Sequence, residues 1–197
     1  MEAYRYHNLV YVPIPKHATR SYVHFFTNTL FWSRIETEDI NWNNDHVFAH
    51  IIHPYTRHTK GIVQALYQNN IEHLVDHNDF VKLLATALFD QHTYPITRMF
   101  STEQFYKIDW LLLDHFKVPG EEFTKALLAD YGIDINTVDI PKLNQQNQIK
   151  KVLQTKLFEI HKQLPIQNSL IYLLEDDVNL YNKVNEHTRF CEIDNLT

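Results

Sequence analysis

Glycine is nearly missing from this chain: three occur among 197 residues, and none lies in residues 1–60. That excludes a Walker A loop from the first 60 residues, because such a loop needs glycines before its Gly-Lys-Ser/Thr. Few glycines and seven prolines also argue against disorder and against a turn-rich all-β barrel. There is one cysteine, Cys191, so the fold does not rest on an internal disulfide. No run approaches the roughly 20 apolar residues of a membrane span. Met1 to His7 lack the apolar core of a signal peptide. Positive charge is in deficit, with 18 Lys and Arg against 24 Asp and Glu and a formal charge of −6. A nucleic-acid binder normally carries a basic face, so none is expected as a partner. No Gly-x-Ser-x-Gly elbow is present for hydrolase chemistry. The chain reads as soluble and cytoplasmic.

What is present is core material. Hydrophobic residues make up 44%, with 12 Phe and 11 Tyr, enough for one domain over 1–197. The run from Leu9 predicts a buried strand that Pro13 and Pro15 end, since proline has no N–H for a ladder. A helix is expected over 22–32, a polar loop over 36–45, a strand over 47–52 and a helix over 55–69 carrying Ile62, Val63, Leu66 and Tyr67. Further on, a helix at 79–89, irregular chain at 90–104, a strand at 108–113 and a helix at 121–131 follow. Gly132 stands where a left-handed residue ends a helix. Residues 133–144 read as a linker and 145–163 as the longest helix, with Ile149, Val152, Leu153, Leu157, Phe158 and Ile160 near one stripe. Residues 170–174 read as a strand or a buried turn. A last helix, capped by Asp176 or Asp177, extends to about 186. Strands alternating with helices predict an α/β fold with a mainly parallel sheet, whose ligands sit at the carboxyl ends of the strands.

The strand at Leu9 leads into Pro15-Lys16-His17-Ala18-Thr19-Arg20-Ser21. Strand, cationic polar turn and helix make the layout of an anion site: backbone N–H groups point at the ligand and the helix dipole favours negative charge. Lys16 and Arg20 add full charges, Thr19 and Ser21 hydroxyl donors.

This stretch resembles the 5′-phosphosulfate loop of sulfotransferases that use 3′-phosphoadenosine 5′-phosphosulfate (PAPS), in particular the carbohydrate sulfotransferases. Four later segments resemble that family in the same order. Pro54 and Arg57 match a segment that binds the 3′-phosphate, although Ile52 stands where the family has arginine and Lys60 where it has serine. Asp90, His92 and Pro95 match an Asp-x-His-x-x-Pro-Gln segment, with Ile96 where the family has glutamine, and Tyr106 to Asp114 a strand ending in a carboxylate. Leu170 to Val184 looks like the family's C-terminal acidic turn. The resemblance implies a compact soluble member with a three-layer parallel sheet flanked by helices, the P-loop-NTPase-like sulfotransferase fold.

It also implies a chemistry. Sulfuryl transfer from PAPS to a hydroxyl of a carbohydrate or small molecule is an in-line displacement, in which positioning and charge stabilisation do most of the work. Lys16 would stabilise the leaving phosphate. Residues Lys16, His17, Ala18, Thr19, Arg20 and Ser21 would hold the 5′-phosphosulfate, and Arg57 with Lys60 the 3′-phosphate. No metal is required. Histidine suits the base that takes the hydroxyl proton. The resemblance favours His92; His50 and His53 are alternatives, and His50 reads equally as a core histidine. Trp32, Trp42, Tyr55, Tyr94 and Trp110 are candidates to stack on a base or sugar, or ordinary core aromatics. The acceptor is expected at loops 33–46, 68–79 and 91–105. The alternative is a catalytically silent nucleotide- or glycan-binding protein on the same fold.

Overall fold

The computed structural model describes residues 1–71, 73, 88, 92–114, 120–135, 139–143 and 148–194, with the backbone alone for 164–166 and 187–194. Of the helix expected at 79–89 only residue 88 is described, and Asp90 lies outside these residues. The chain divides into two compact units. The first contains Met1–Ile52, Phe100–Asn144 and Asn182–Thr197; the second contains His53–Met99 and Gln145–Tyr181.

The first unit holds a five-stranded mixed sheet. Strands β1 (Glu2–Tyr6) and β2 (Leu9–Tyr11) form an antiparallel hairpin with Tyr4 opposite Tyr11. Strand β3 (Ser33–Glu36) pairs antiparallel with the other side of β1. Strand β4 (His46–Ile51) runs parallel to β2, and β5 (Ile108–Leu112) parallel to β4, giving the order β3-β1-β2-β4-β5. The α/β expectation therefore holds, but the sheet is parallel only across β2, β4 and β5. The two-residue turn His7-Asn8, with His7 at φ 52°, folds β1 straight back onto β2, and so short a link permits only antiparallel pairing. The edge strand β3 lies partly in the stretch expected as loop. Its residues are exposed except for half-buried Ile35, so backbone pairing holds it and no apolar run announces it.

Leu9, Val10 and Tyr11 are fully buried, as suits a strand covered on both faces. Helix α1 (Thr19–His24) passes into a π-helical turn, Phe25–Thr29, which buries both Phe25 and Phe26. Trp32 then stacks on Phe26 with centroids 4.4 Å apart. Helix α3 (Thr102–Lys107) starts where irregular chain was expected, closed by reciprocal bonds between Ser101 and Gln104. Ser-x-x-Gln is the capping-box pattern, so the signal was present in the sequence. Helix α4 (Gly120–Asp130) packs on the sheet through Leu127 and Leu128. Gly132, at φ +72°, ends it as expected: its N–H reaches Ala129 O and that of Ile133 reaches Leu128 O, a full Schellman motif.

In the second unit, α2 (Pro54–Gln68) buries Ile62, Val63 and Leu66 against Leu153 and Leu157 of α5 (Gln148–His161). Tyr67 lies outside that seam, with the Lys150 ammonium 4.4 Å over its ring. Ile149 and Val152 are about half exposed, so the buried stripe of α5 is narrower than its hydrophobic pattern suggests. Residues 170–173 are helical, the end of α6 (Leu164–Leu173), and not a strand. Leu170 and Leu174 are buried while Ile171 and Tyr172 face water. That is helical alternation inside a run too short to distinguish from a strand by composition. Helix α7 (Glu175–Asp194) follows at once. Among the described residues no helix is long and apolar enough to cross a membrane.

Candidate functional site

Residues 12–18 connect the carboxyl end of β2 to α1. Val12 N–H still pairs with Phe48 O at 2.9 Å; the prolines then end the ladder. The turn is built without glycine, yet Lys16 (φ 72°) and Ala18 (φ 55°) both adopt the left-handed conformation. L-residues other than glycine pay roughly 1–2 kcal/mol for that region, so the loop needs anchors. There are two. Thr19 Oγ1 donates to Ile14 O at 2.5 Å. His17, fully buried, contacts the backbone oxygen of His50 through Nδ1 at 2.5 Å. A carbonyl only accepts, so that nitrogen carries the proton.

The turn's amides divide into two sets. Those of His17, Ser21 and Tyr22 bond back into the turn, to Ile14 O and Ala18 O. Those of Ala18, Thr19 and Arg20 have no acceptor among the described residues. Three consecutive N–H groups without acceptors among the described residues, next to alternating left-handed residues, have the arrangement of a nest, a backbone geometry that suits an anion. Of the two hydroxyls expected as donors, Thr19 uses its hydrogen on Ile14 O. Ser21 Oγ accepts from Leu143 N at 3.2 Å, which leaves its own hydrogen available. Lys16 is half-buried and Arg20 exposed.

Beside the turn lies a cavity of about 290 Å³, lined by Ala18, Ser21, Tyr22, Gly120, Glu121 and Lys142, with Leu113, Ile140 and Pro141. Leu113 directly follows β5, so the cavity sits at the carboxyl side of the parallel strands. Gly120 starts α4 against the backbone of Leu113, where a Cβ would lie 2.4 Å from Leu113 O. A glycine is needed at this approach. Behind the cavity wall a polar chain crosses the core. Tyr11 Oη lies 3.3 Å from His50 Nδ1, and His50 Nε2 lies 2.8 Å from Thr124 Oγ1. Thr124 in turn hydrogen-bonds Tyr22. Burial pulls the His50 imidazole down to about 3 and pushes the Tyr22 phenol up to about 12. His50 is thus a neutral core histidine, and Tyr22 presents a protonated phenol.

Arg57, Lys60, His53 and His92 belong to the second unit. Arg57 is 1% exposed; its Nη1 donates to Tyr94 O at 2.5 Å and its Nη2 lies 4.0 Å from Met99 Sδ. Asp177, also 1% exposed, accepts from Ile96 N at 2.8 Å and Thr97 N at 3.1 Å. Burial raises its carboxyl, while those amides and Arg57 act in the opposite direction. Together the two side chains clamp residues 94–99. Lys60 and His92 are partly exposed, His92 in the turn before Pro95. His53 sits between the rings of Tyr55 and Tyr181, at 5.1 and 5.0 Å. Of the aromatic candidates, Trp32 and Trp110 are core residues, whereas Tyr55 lines a second cavity, of about 460 Å³, with Phe158, His161 and Leu170.

Sequence reading missed Tyr22, Glu121 and Lys142 at the first cavity. Glu121 opens the helix expected at 121–131, and nothing in the order of residues brings 121 and 142 beside 18–22. No protein-family model, no curated protein and no solved structure matches this chain.

Proposed function

We propose that the chain is a PAPS-dependent sulfotransferase on a P-loop-like fold, acting on a hydroxyl of a carbohydrate or small molecule. The observation that carries this reading is the glycine-free turn after β2. It holds three consecutive amides, 18–20, without acceptors among the described residues, beside a cavity at the carboxyl side of the parallel strands. Strained backbone kept in place by two anchors is characteristic of functional sites. In this reading the amides of Ala18, Thr19 and Arg20 and the hydroxyl of Ser21 hold the 5′-phosphosulfate. His17 orients the turn from beneath. As the acceptor oxygen bonds to sulfur, the sulfur–oxygen bond to the nucleotide breaks and charge gathers on the leaving phosphate. Lys16 neutralises it. The hydroxyl proton passes to a general base.

One observation favours a silent nucleotide- or anion-binding protein instead. The guanidinium of Arg57, assigned to the 3′-phosphate, is buried on Tyr94 O, and Ile52 in place of the family's arginine is 6% exposed. Calorimetric titration with 3′-phosphoadenosine 5′-phosphate, with ATP and AMP as controls, tests the donor site. Micromolar binding that disappears in Lys16→Ala is the expected result. Absence of binding by the folded protein overturns the reading. Binding without sulfate transfer to any acceptor favours the silent protein.

A further inference from the structure

Asp109, His46 and Tyr131 form a hydrogen-bonded chain that sulfuryl transfer does not use. His46 Nε2 lies 3.2 Å from Asp109 Oδ2, and His46 Nδ1 lies 2.5 Å from Tyr131 Oη. A carboxylate only accepts, so the ring proton of a neutral His46 sits on Nε2 and Nδ1 offers a lone pair. The Tyr131 hydroxyl donates to that lone pair. Three elements bring the groups together. The parallel register sets Asp109 beside Phe48, and strand alternation places His46 on the same face as Phe48. Phe48 shares a core cluster with Leu127 and Leu128 of α4. Tyr131 follows the carboxyl end of α4, its N–H bonded to Leu128 O at 3.1 Å. The chain of groups therefore lies at the amino ends of β4 and β5, whereas the cavity beside the turn lies at their carboxyl side.

A hydroxyl within hydrogen-bond reach of a base that a third group orients is the arrangement of an activated nucleophile, recognised by geometry and not by sequence position. Burial and the charges of Asp109 and Asp130 raise the Tyr131 phenol above its ordinary value. The phenol thus keeps its proton at neutral pH and attacks only where a base takes that proton. The same carboxylates repel an anionic reagent, which leaves a neutral electrophile.

We propose that Tyr131 is a covalent acceptor for the acyl group of a neutral activated ester, with His46 as its general base and Asp109 as the residue that positions His46. The phenol oxygen bonds to the ester carbonyl carbon while its proton passes to His46 Nδ1. The ester C–O bond then breaks, and its electron pair leaves on the alcohol oxygen, which takes the proton back from Nδ1. The products are an O-acyl tyrosine at 131 and the free alcohol. The proposal depends neither on the turn after β2 nor on the donor nucleotide.

The other tyrosines are internal controls. Tyr106 and Tyr172 are 73% and 83% exposed, whereas Tyr131 is half-buried, so accessibility alone would label those two first. The test incubates the full chain with p-nitrophenyl acetate at neutral pH and follows acetylation of each tyrosine by peptide mass spectrometry. Tyr131 is expected to react about 10-fold faster than Tyr106 or Tyr172. His46→Gln can still accept the phenol's hydrogen bond but cannot take its proton. It should slow Tyr131 by about 100-fold and leave Tyr106 and Tyr172 unchanged. Asp109→Asn should slow Tyr131 by about 10-fold. A merely structural tie predicts the opposite sign, because loosening it exposes the phenol. Labelling of Tyr131 no faster than that of Tyr106, or equal or faster labelling of Tyr131 in His46→Gln, overturns the proposal. Circular dichroism checks each variant; should His46→Gln not fold, Asp109→Asn, which alters an exposed side chain, decides by the same criterion.

Discussion

The imidazole of His17 donates from Nδ1 to the carbonyl oxygen of His50 at 2.5 Å, tying the turn after β2 to the far end of β4. Both residues are fully buried. The bond holds the amides of 18–20 in one orientation without a glycine in the loop.

Replacing His17 by alanine removes that bond and leaves a hole beneath the turn. Stability should fall by about 2 kcal/mol, and affinity for 3′-phosphoadenosine 5′-phosphate should fall with it. Urea unfolding and calorimetry on the same preparation measure both. Unchanged nucleotide affinity in a folded His17→Ala protein would show that the turn does not need this anchor.

Ala18, exposed and at φ 55°, adopts backbone that glycine adopts freely. Ala18→Gly should leave stability equal or raise it by up to about 1 kcal/mol, the relief being partly offset by extra freedom in the unfolded chain. Ala18→Val should lower it by about 2 kcal/mol, since β-branching is worst at positive φ. The order Gly, Ala, Val in urea midpoint is the expected result; Val above Ala would contradict the left-handed assignment.

His50 is neutral when folded, with its value lowered to about 3 by burial. In the unfolded chain it takes a proton near pH 6.5. Between those values the unfolded state binds more protons, so stability falls as pH drops from about 6.5 toward 3, by at most about 1.4 kcal/mol per pH unit. Asp177, raised by burial, acts the other way over its own range. Comparison with His50→Gln cancels it. The difference in stability between the two proteins should shift steadily in favour of the variant from pH 7 to 4; a constant difference would mean that His50 titrates normally in the fold.

Asp177→Ala leaves the amides of Ile96 and Thr97 without the carboxylate they donate to and removes a negative charge that interacts with buried Arg57. The expected loss is about 3 kcal/mol. Arg57→Met should likewise cost stability by freeing Tyr94 O. If Arg57→Met instead melts like wild type and loses only nucleotide affinity, Arg57 acts on the ligand and not on the framework.

Much of this molecule is legible in residue order. Leu9–Tyr11, His46–Ile51 and Ile108–Leu112 are strands because short apolar runs are bounded by breakers, and Gly132 ends α4 because only glycine adopts that backbone freely. Lys16 to Ser21 stand out as a cationic turn for the same local reason. Other features have no local signal. β3 exists because β1 offers it a free edge, and β1 turns back on β2 through His7-Asn8. Leu170–Leu173 is helical because Leu170 and Leu174 find a buried seam that Ile171 and Tyr172 do not share.

The sequence by itself determined the α/β class, the position of the turn after β2 and the charges it carries, since periodicity, proline and side-chain type act over a few residues. Only the tertiary structure decided that Lys16 and Ala18 are left-handed, that His50 is a neutral core residue and that Arg57 is buried on Tyr94. It alone brought Glu121 and Lys142 to the cavity beside Ser21. These depend on burial, on carbonyls from distant strands and on close backbone approach, quantities that contacts between remote residues create and that residue order does not contain.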